Sequence, residues 1–430
     1  MRESASVSSA ATNNNPEQRV DLKRYAMVTA AYWGFTLTDG ALRMLVLLHF
    51  HELGYSPLQL AFLFLLYEFC GIVTNLIGGW IGARFGLKLT LFLGLGIQIA
   101  ALLMLSAVQP GWVAWLSISY VMLAQALSGV AKDLTKMSSK SAVKLVVPAD
   151  AESTLFKWVA ILTGSKNALK GVGCFVGGLL LSTLGFAAGL WLMAGTLAVI
   201  LVVSVLTLDG DFGRSKAKVK FKHLFSKSRE INLLSFARVF LFASRDVWFV
   251  VALPVFLYEV LGWNFTAIGA FMAGWVIAYG CVQAGAPRLI REAGTVQAAR
   301  AAVFWGTLLA IIPAAIAIAL ALGLPPAAVV LGGLGAFGIV FAINSSVHSY
   351  LILALTDHDQ VALNVGFYYM ANACGRLIGT LLSGLIYLLG GLEATLWASA
   401  AMIAIAAASA APLGRVKEPT ETLTPNPNGA

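Results

Sequence analysis

Apolar residues in this chain fall into long runs, of about 20 residues each, separated by short polar breaks. A helix of that length rises about 30 Å, the thickness of a bilayer's hydrocarbon core. Twelve such runs can be drawn, at roughly 25–50, 57–82, 88–108, 112–134, 154–183, 186–207, 232–258, 264–289, 296–322, 326–352, 361–388 and 392–411. The breaks carry turn signals: "QPG" at 109–111, "GLPP" at 323–326 and "LGG" at 389–391. The pattern predicts an all-α polytopic membrane protein with twelve transmembrane helices.

Composition agrees. Only 11% of the residues are charged and 59% are hydrophobic, whereas a soluble domain carries about 25% charge. The first 24 residues lack an apolar signal-peptide core and read as a disordered cytoplasmic tail, as do residues 412–430. The net charge of +9 is not gathered on a separable basic domain, so nucleic acid is not an expected partner. Cys70, Cys174, Cys281 and Cys374 lie in apolar runs without CxxC spacing. They are expected to be small buried hydrophobes, with no disulfide and no metal site.

Lysine and arginine set the orientation. The connections after runs 2, 4, 6 and 8 carry Arg84 and Lys88, Lys132 to Lys144, Arg214 to Arg229, and Arg288 with Arg291. Those after runs 1, 3, 5, 7, 9 and 11 carry none, and the tenth is acidic, with Asp357 and Asp359. Both termini are therefore expected on the cytoplasmic side, in the inner membrane. The longest connection is a basic linker at 209–231, which separates a six-helix half at 25–208 from another at 232–411. The halves look like repeats. Asp39 is followed thirteen residues later by Glu52, and Asp246 thirteen later by Glu259.

Two six-helix halves joined by a long loop resemble the major facilitator superfamily. That family's loop between helices 2 and 3 usually reads G-x-x-x-D-R-x-G-R-K. Here it is "GWIGARFGLK", in which Gly79, Arg84, Gly86 and Lys88 match while Ala83 and Leu87 depart. The resemblance implies a gating loop there, without the usual aspartate contact.

The charges inside the runs carry the chemistry. A lysine at mid-bilayer costs roughly 3 kcal/mol on insertion scales. Yet "LTGSKNALKGVGCFVGG" (162–178) holds Lys166 and Lys170 on one helical face. Lys157 and Arg238 sit close enough to an end to snorkel. Arg43, Lys166, Lys170, Arg245 and Arg376 are deeper, against the carboxylates of Asp39, Glu68 and Asp246, with Asp133 nearer the cytoplasmic end. Asp39 and Arg43, four residues apart on one face, offer an expected pairing as a structural ion pair, beside the reading of both as cavity-facing charges. Arg245 and Asp246 are adjacent and are expected to face apart. Lys132, Lys136, Lys140 and Lys144 form a ridge if helical, and Lys132 and Lys136 are the two expected to reach a ligand. Tyr368, Asn372 and Arg376, near one stripe, suit an oxyanion with several acceptor atoms. The polar cluster "NSSVHSY" (344–350) reads equally well as cavity lining or as helix–helix contact. The expectation is an anion site near the midplane, with Lys166 and Lys170 on one jaw and Arg376 on the other.

The stretches "YWGFTLTDGALRMLVLLHFHELGYSP" (32–57) and "FYYMANACGRLIGTLLSGLIY" (367–387) resemble those of the ArsJ-type organoarsenical efflux permeases. The resemblance implies export of 1-arseno-3-phosphoglycerate, which glyceraldehyde-3-phosphate dehydrogenase makes when arsenate replaces phosphate, and hence arsenate resistance. No Walker motif is present, so an antiporter driven by protons through Asp39, Glu68 and Asp246 is expected, as a monomer without a cofactor. The rivals are an exporter or exchanger of another organic phosphate and a transporter-like sensor. An enzyme is not expected, since neither HExxH nor GxSxG occurs.

Overall fold

The computed structural model describes residues 16–85, 87–109, 111–142, 152–208, 228–286, 295–355 and 361–415. Most of the linker, the residues before 16 and after 415, Lys144, Gly86, Arg288, Arg291, Asp357 and Asp359 lie outside them. So do the side chains of Arg84, Lys140 and Lys157.

The helices are α1 (Pro16–Glu52), α2 (Pro57–Phe85), α3 (Leu87–Ser106), α4 (Ala114–Ala142), α5 (Glu152–Leu184), α6 (Phe186–Thr207), α7 (Arg229–Phe249), α8 (Ala252–Glu259), α9 (Phe265–Gly285), α10 (Thr295–Ala321), α11 (Pro326–Ala354) and α12 (Val361–Ala410). These are the twelve expected crossings with two adjustments: the seventh is α7 followed by α8, and α12 holds the last two, folded back at Gly390 and Gly391. Gly391 makes that reversal at φ +65°, and Gly185 makes the α5–α6 reversal at φ +80°, where a side chain would be strained. Helix α1 begins at Pro16, inside the stretch expected as a tail. Proline suits a helix's first turn, where its missing N–H is not needed.

Ten described helices are long and apolar enough to cross a membrane, one of them the double stretch Gly366–Gly414. Helix α1, which carries Asp39 and Arg43, is not among those ten. Outward-facing Leu206, Leu389 and Trp191 are exposed, as lipid contact requires. The seventh crossing is the most enclosed, with 78% of its apolar stretch buried against 28–44% elsewhere.

Its break has a local cause. Pro254 lacks an N–H, and its ring would collide with the carbonyl of Val250 in a straight helix. The chain kinks at Val250 and Val251, and Ser383 of α12 accepts the freed N–H groups of Val251 (3.2 Å) and Ala252 (3.1 Å).

Within the first half, α1 packs on α4, α5 and α6, α2 on α4, and α3 on α4 and α6; within the second, α7 and α10 pack on α12 and α9 on α11. Two seams join the halves, α5 on α9 and α2 on α12. Glycines set the distances. A Cβ on Gly173 or Gly177 of α5 would sit 2.5 Å from the Leu37 carbonyl oxygen or 2.3 Å from that of Ala41. On α12, a Cβ on Gly375 or Gly379 would likewise collide with the carbonyl oxygen of Val239 or Ala243. Leu37 and Val239, Ala41 and Ala243, Gly173 and Gly375, Gly177 and Gly379 all stand at one sequence interval. This packing register aligns Arg43 with Arg245, not Asp39 with Asp246 as the acidic spacing suggests. Glycine also lets the seams close, at Gly178 against Phe265 and at Gly384 against Pro57.

All four cysteines are free. Cys281 departs from the expectation, lying exposed on α9.

Candidate functional site

A layer of ionic side chains crosses the middle of the bundle. Its centre is Glu68 of α2, 1% exposed, whose Oε1 accepts from Arg43 of α1 at 2.5 Å and from Arg376 of α12 at 2.6 Å. Arg376 also reaches the Oδ2 of Asp246 on α7, with its Nε at 3.4 Å. One guanidinium thus ties a carboxylate of the first half to one of the second.

Two expected pairings are corrected. Asp39 and Arg43 share a helical face but do not pair: Arg43 turns to Glu68, and Asp39 accepts from the Tyr67 hydroxyl at 2.7 Å. The deeper, doubly contacted Glu68 is the stronger attractor for a guanidinium. Arg245 and Asp246, expected to face apart, form a direct pair, with Nε and NH2 at 2.7 and 2.5 Å from Oδ1. The long arginine side chain curls along α7 to its neighbour. Its guanidinium lies near the rings of Phe242, Phe249 and Phe341.

On α4, Lys132 and Lys136 turn inward. Asp133 is fully buried; it accepts from Thr74 and, at 3.1 Å, from Lys136. Lys136 also donates to the Asn75 side chain at 2.6 Å and lies 5.9 Å from the ring of Tyr369, across the seam. The ammonium of Lys132 sits 4.0 Å above the ring of Tyr67, a cation–π contact. Lys170 makes no hydrogen bond or ion pair among the described residues, and its charged surroundings include Arg376, Arg43, Lys132, Asp39 and Glu68. Six cations, Arg43, Lys132, Lys136, Lys170, Arg245 and Arg376, therefore face four carboxylates, Asp39, Glu68, Asp133 and Asp246. Lys132 and Lys170 are the two without an ion-pair partner among the described residues.

The α5 glycines explain how a membrane helix accommodates a lysine. Gly173 and Gly177 seat α5 on α1, and Gly171 and Gly178 seat it on α9. Lys170 is carried between those two contacts into the layer and away from lipid. Lys166, half-buried, lies one turn earlier, beside Asn167, whose amide donates to Gln283 of α9 at 3.1 Å.

The stripe of Tyr368, Asn372 and Arg376 divides. Eight residues are about 2.2 helical turns, so the first and last side chains diverge by about 80°. Arg376 enters the layer, while the ring of Tyr368 lies 4.9 Å from the guanidinium of Arg238. Asn372 is half-buried with an unpartnered Oδ1. Of the expected gating loop, Lys88 falls in the first turn of α3 and lies over Phe92 at 5.8 Å; Gly86 and the surroundings of Gly79 and Arg84 are outside the described residues. Tyr67 is the participant that sequence reasoning missed. Its signal was adjacency to Glu68 in an otherwise apolar run, but a tyrosine in a membrane helix is common enough to pass unnoticed.

The family model described as Major Facilitator Superfamily matches residues 27–347. No curated protein sequence matches. Among solved structures, a bacterial homologue of the iron transporter ferroportin in an inward-facing state is similar at TM-score 0.64 and 19% identity, covering 91% of this chain and 99% of its own. A bacterial ferroportin homologue in an outward-facing state gives TM-score 0.64 and 16% identity, covering 91% and 100%. At such identities the likeness speaks for the fold, and the family assignment rests on the matched residues: this chain belongs to the major facilitator superfamily, and is a membrane transporter and not an enzyme.

Proposed function

We propose that this transporter exports an organic anion bearing phosphate-like groups, specifically 1-arseno-3-phosphoglycerate, by alternating access. The observation that carries the reading is the pair Lys132 and Lys170. They are ammonium groups deep in the bundle without ion-pair partners among the described residues, beside two arginines that share one carboxylate oxygen. A surplus of buried positive charge favours an anion, and arginine and lysine together supply forked and point-charge contacts to phosphate and arsenate groups. An iron cation, which ferroportin transports, would meet net repulsion here.

In this reading the halves at 25–208 and 232–411 rock about the layer. Arg43, Lys132, Lys136, Lys166, Lys170, Arg245, Asn372 and Arg376 are the ligand-facing candidates, while Tyr368 is turned to Arg238. Arriving anion competes with Glu68 for Arg43 and Arg376, and the freed carboxylate, with Asp39 and Asp246, takes up protons. Both termini face the cytoplasm of the inner membrane, the dehydrogenase supplies the substrate, and the transporter acts as a monomer. The layer suits another organic phosphate on the same grounds, so that is the second reading.

The test uses everted vesicles containing the protein, supplied with arsenate, glyceraldehyde 3-phosphate, NAD and the dehydrogenase. Arsenic trapped only with the full mixture supports the organoarsenical. No uptake by a folded, inserted protein, with uptake of another organic phosphate, supports the second reading. No transport of any anion returns the chain to a sensor role.

A further inference from the structure

Arg238 is the buried cation that the central layer does not use. It lies on α7, two turns before Arg245, and is 4% exposed. It forms no ion pair among the described residues. Its NH1 donates to the carbonyl and hydroxyl oxygens of Ser345 on α11, both at 3.1 Å. Its guanidinium stacks 4.1 Å from the ring of Phe242 and 4.9 Å from that of Tyr368. Its Nε has no hydrogen-bond partner among the described residues.

The neighbours repeat this pattern. On α11, either side of Ser345 in sequence, Asn344 is 2% exposed and His348 1% exposed. His348 Nδ1 and Asn344 Oδ1 are also without partners. A buried charge without a counter-charge costs several kcal/mol, and orphaned buried polar atoms commonly mark a missing water or ion. The positive charge and the absence of a carboxylate contact select an anion. A single cation favours a single negative charge. Enclosure by Phe242, Tyr368 and α11 favours a small one. The imidazole can present an N–H.

We propose that Arg238, with Ser345 and His348 of α11, forms a second anion site, separate from the central layer, which holds one small monovalent anion of the halide class. The anion neutralises Arg238 and fixes the packing of α7 against α11. Phe242 lies between this site and Arg245, 5.1 Å from the latter, so the two sites share a wall.

The test compares the full-length protein in detergent, prepared in sodium gluconate, with chloride, bromide or inorganic phosphate added. Chloride and bromide are expected to raise the melting temperature saturably. That rise is lost in Arg238→Gln and kept in Lys170→Gln, so the outcome is distinguishable from the fate of the central site. Crystals of the unaltered protein grown in bromide are expected to show an anomalous peak at hydrogen-bond distance from Arg238 Nε. This decides the matter even if Arg238→Gln fails to fold. A halide effect that survives Arg238→Gln, protection by phosphate but not halide, or only a water beside Arg238 would each overturn the proposal.

Discussion

Arg376 and Glu68 meet at 2.6 Å although they stand on α12 and α2, one in each half of the bundle. The contact crosses a seam that must open if the halves rock, and Arg43 shares the same carboxylate oxygen. Removing one partner of a buried ion pair costs about 3–5 kcal/mol, because the other is left uncompensated. Glu68→Gln is therefore expected to lower the melting temperature strongly. Combining it with Arg376→Gln is expected to cost less than the two single losses added together. Strict additivity in that double-mutant cycle would mean that the pair carries no coupling.

Lys170 behaves oppositely. It lacks an ion-pair partner among the described residues and sits beside Arg376, Arg43 and Lys132 as well as Asp39. Lys170→Gln relieves like-charge repulsion, so the substrate-free protein is expected to be as stable as the parent or more so. Transport is expected to fall at least tenfold, mainly through a raised KM, since a lost charge-assisted contact is worth about 1.5–3 kcal/mol. Unchanged uptake in vesicles would remove Lys170 from the substrate site.

The glycine contacts predict a positional contrast. Gly375→Ala places a methyl group against the Val239 backbone, while Gly274 and Gly335 face open space. Overpacking costs typically about 1–3 kcal/mol. A clear drop in melting temperature is expected for Gly375→Ala and Gly177→Ala, and almost none for Gly274→Ala or Gly335→Ala. Equal effects at all four would show that helix propensity, not close approach, governs them.

Ser383 closes the break between α7 and α8 by accepting two backbone N–H groups. Ser383→Ala leaves both in an apolar interior and is expected to cost about 1–3 kcal/mol for each donor left unmade. Faster hydrogen exchange at Val251 and Ala252 is the direct readout. Unchanged exchange would mean that the kink is held by Pro254 alone.

The crossings were legible because each apolar run is long enough to span a bilayer by itself, a property local to the chain. The split of the seventh crossing was written in Pro254, but its repair by Ser383 needed a residue on a distant helix. The excess of deep cations over carboxylates was legible as well, because charge in an apolar run is conspicuous. Who pairs with whom was not. Helical spacing favoured Asp39 with Arg43 and set Arg245 apart from Asp246; the fold gives Arg43 to Glu68, Asp39 to Tyr67, and lets Arg245 curl onto its neighbour.

The chain by itself determined the twelve crossings and the surplus of positive charge within them, since both follow from residue type and distance along the sequence. Tertiary structure decided which charges meet, that Lys132 and Lys170 are left without ion partners among the described residues, and that Arg238 stands apart from the layer. Those outcomes depend on how closely α1, α2, α4, α5, α7 and α12 approach one another. That approach is set by glycines whose effect is felt on the neighbouring helix and not on their own.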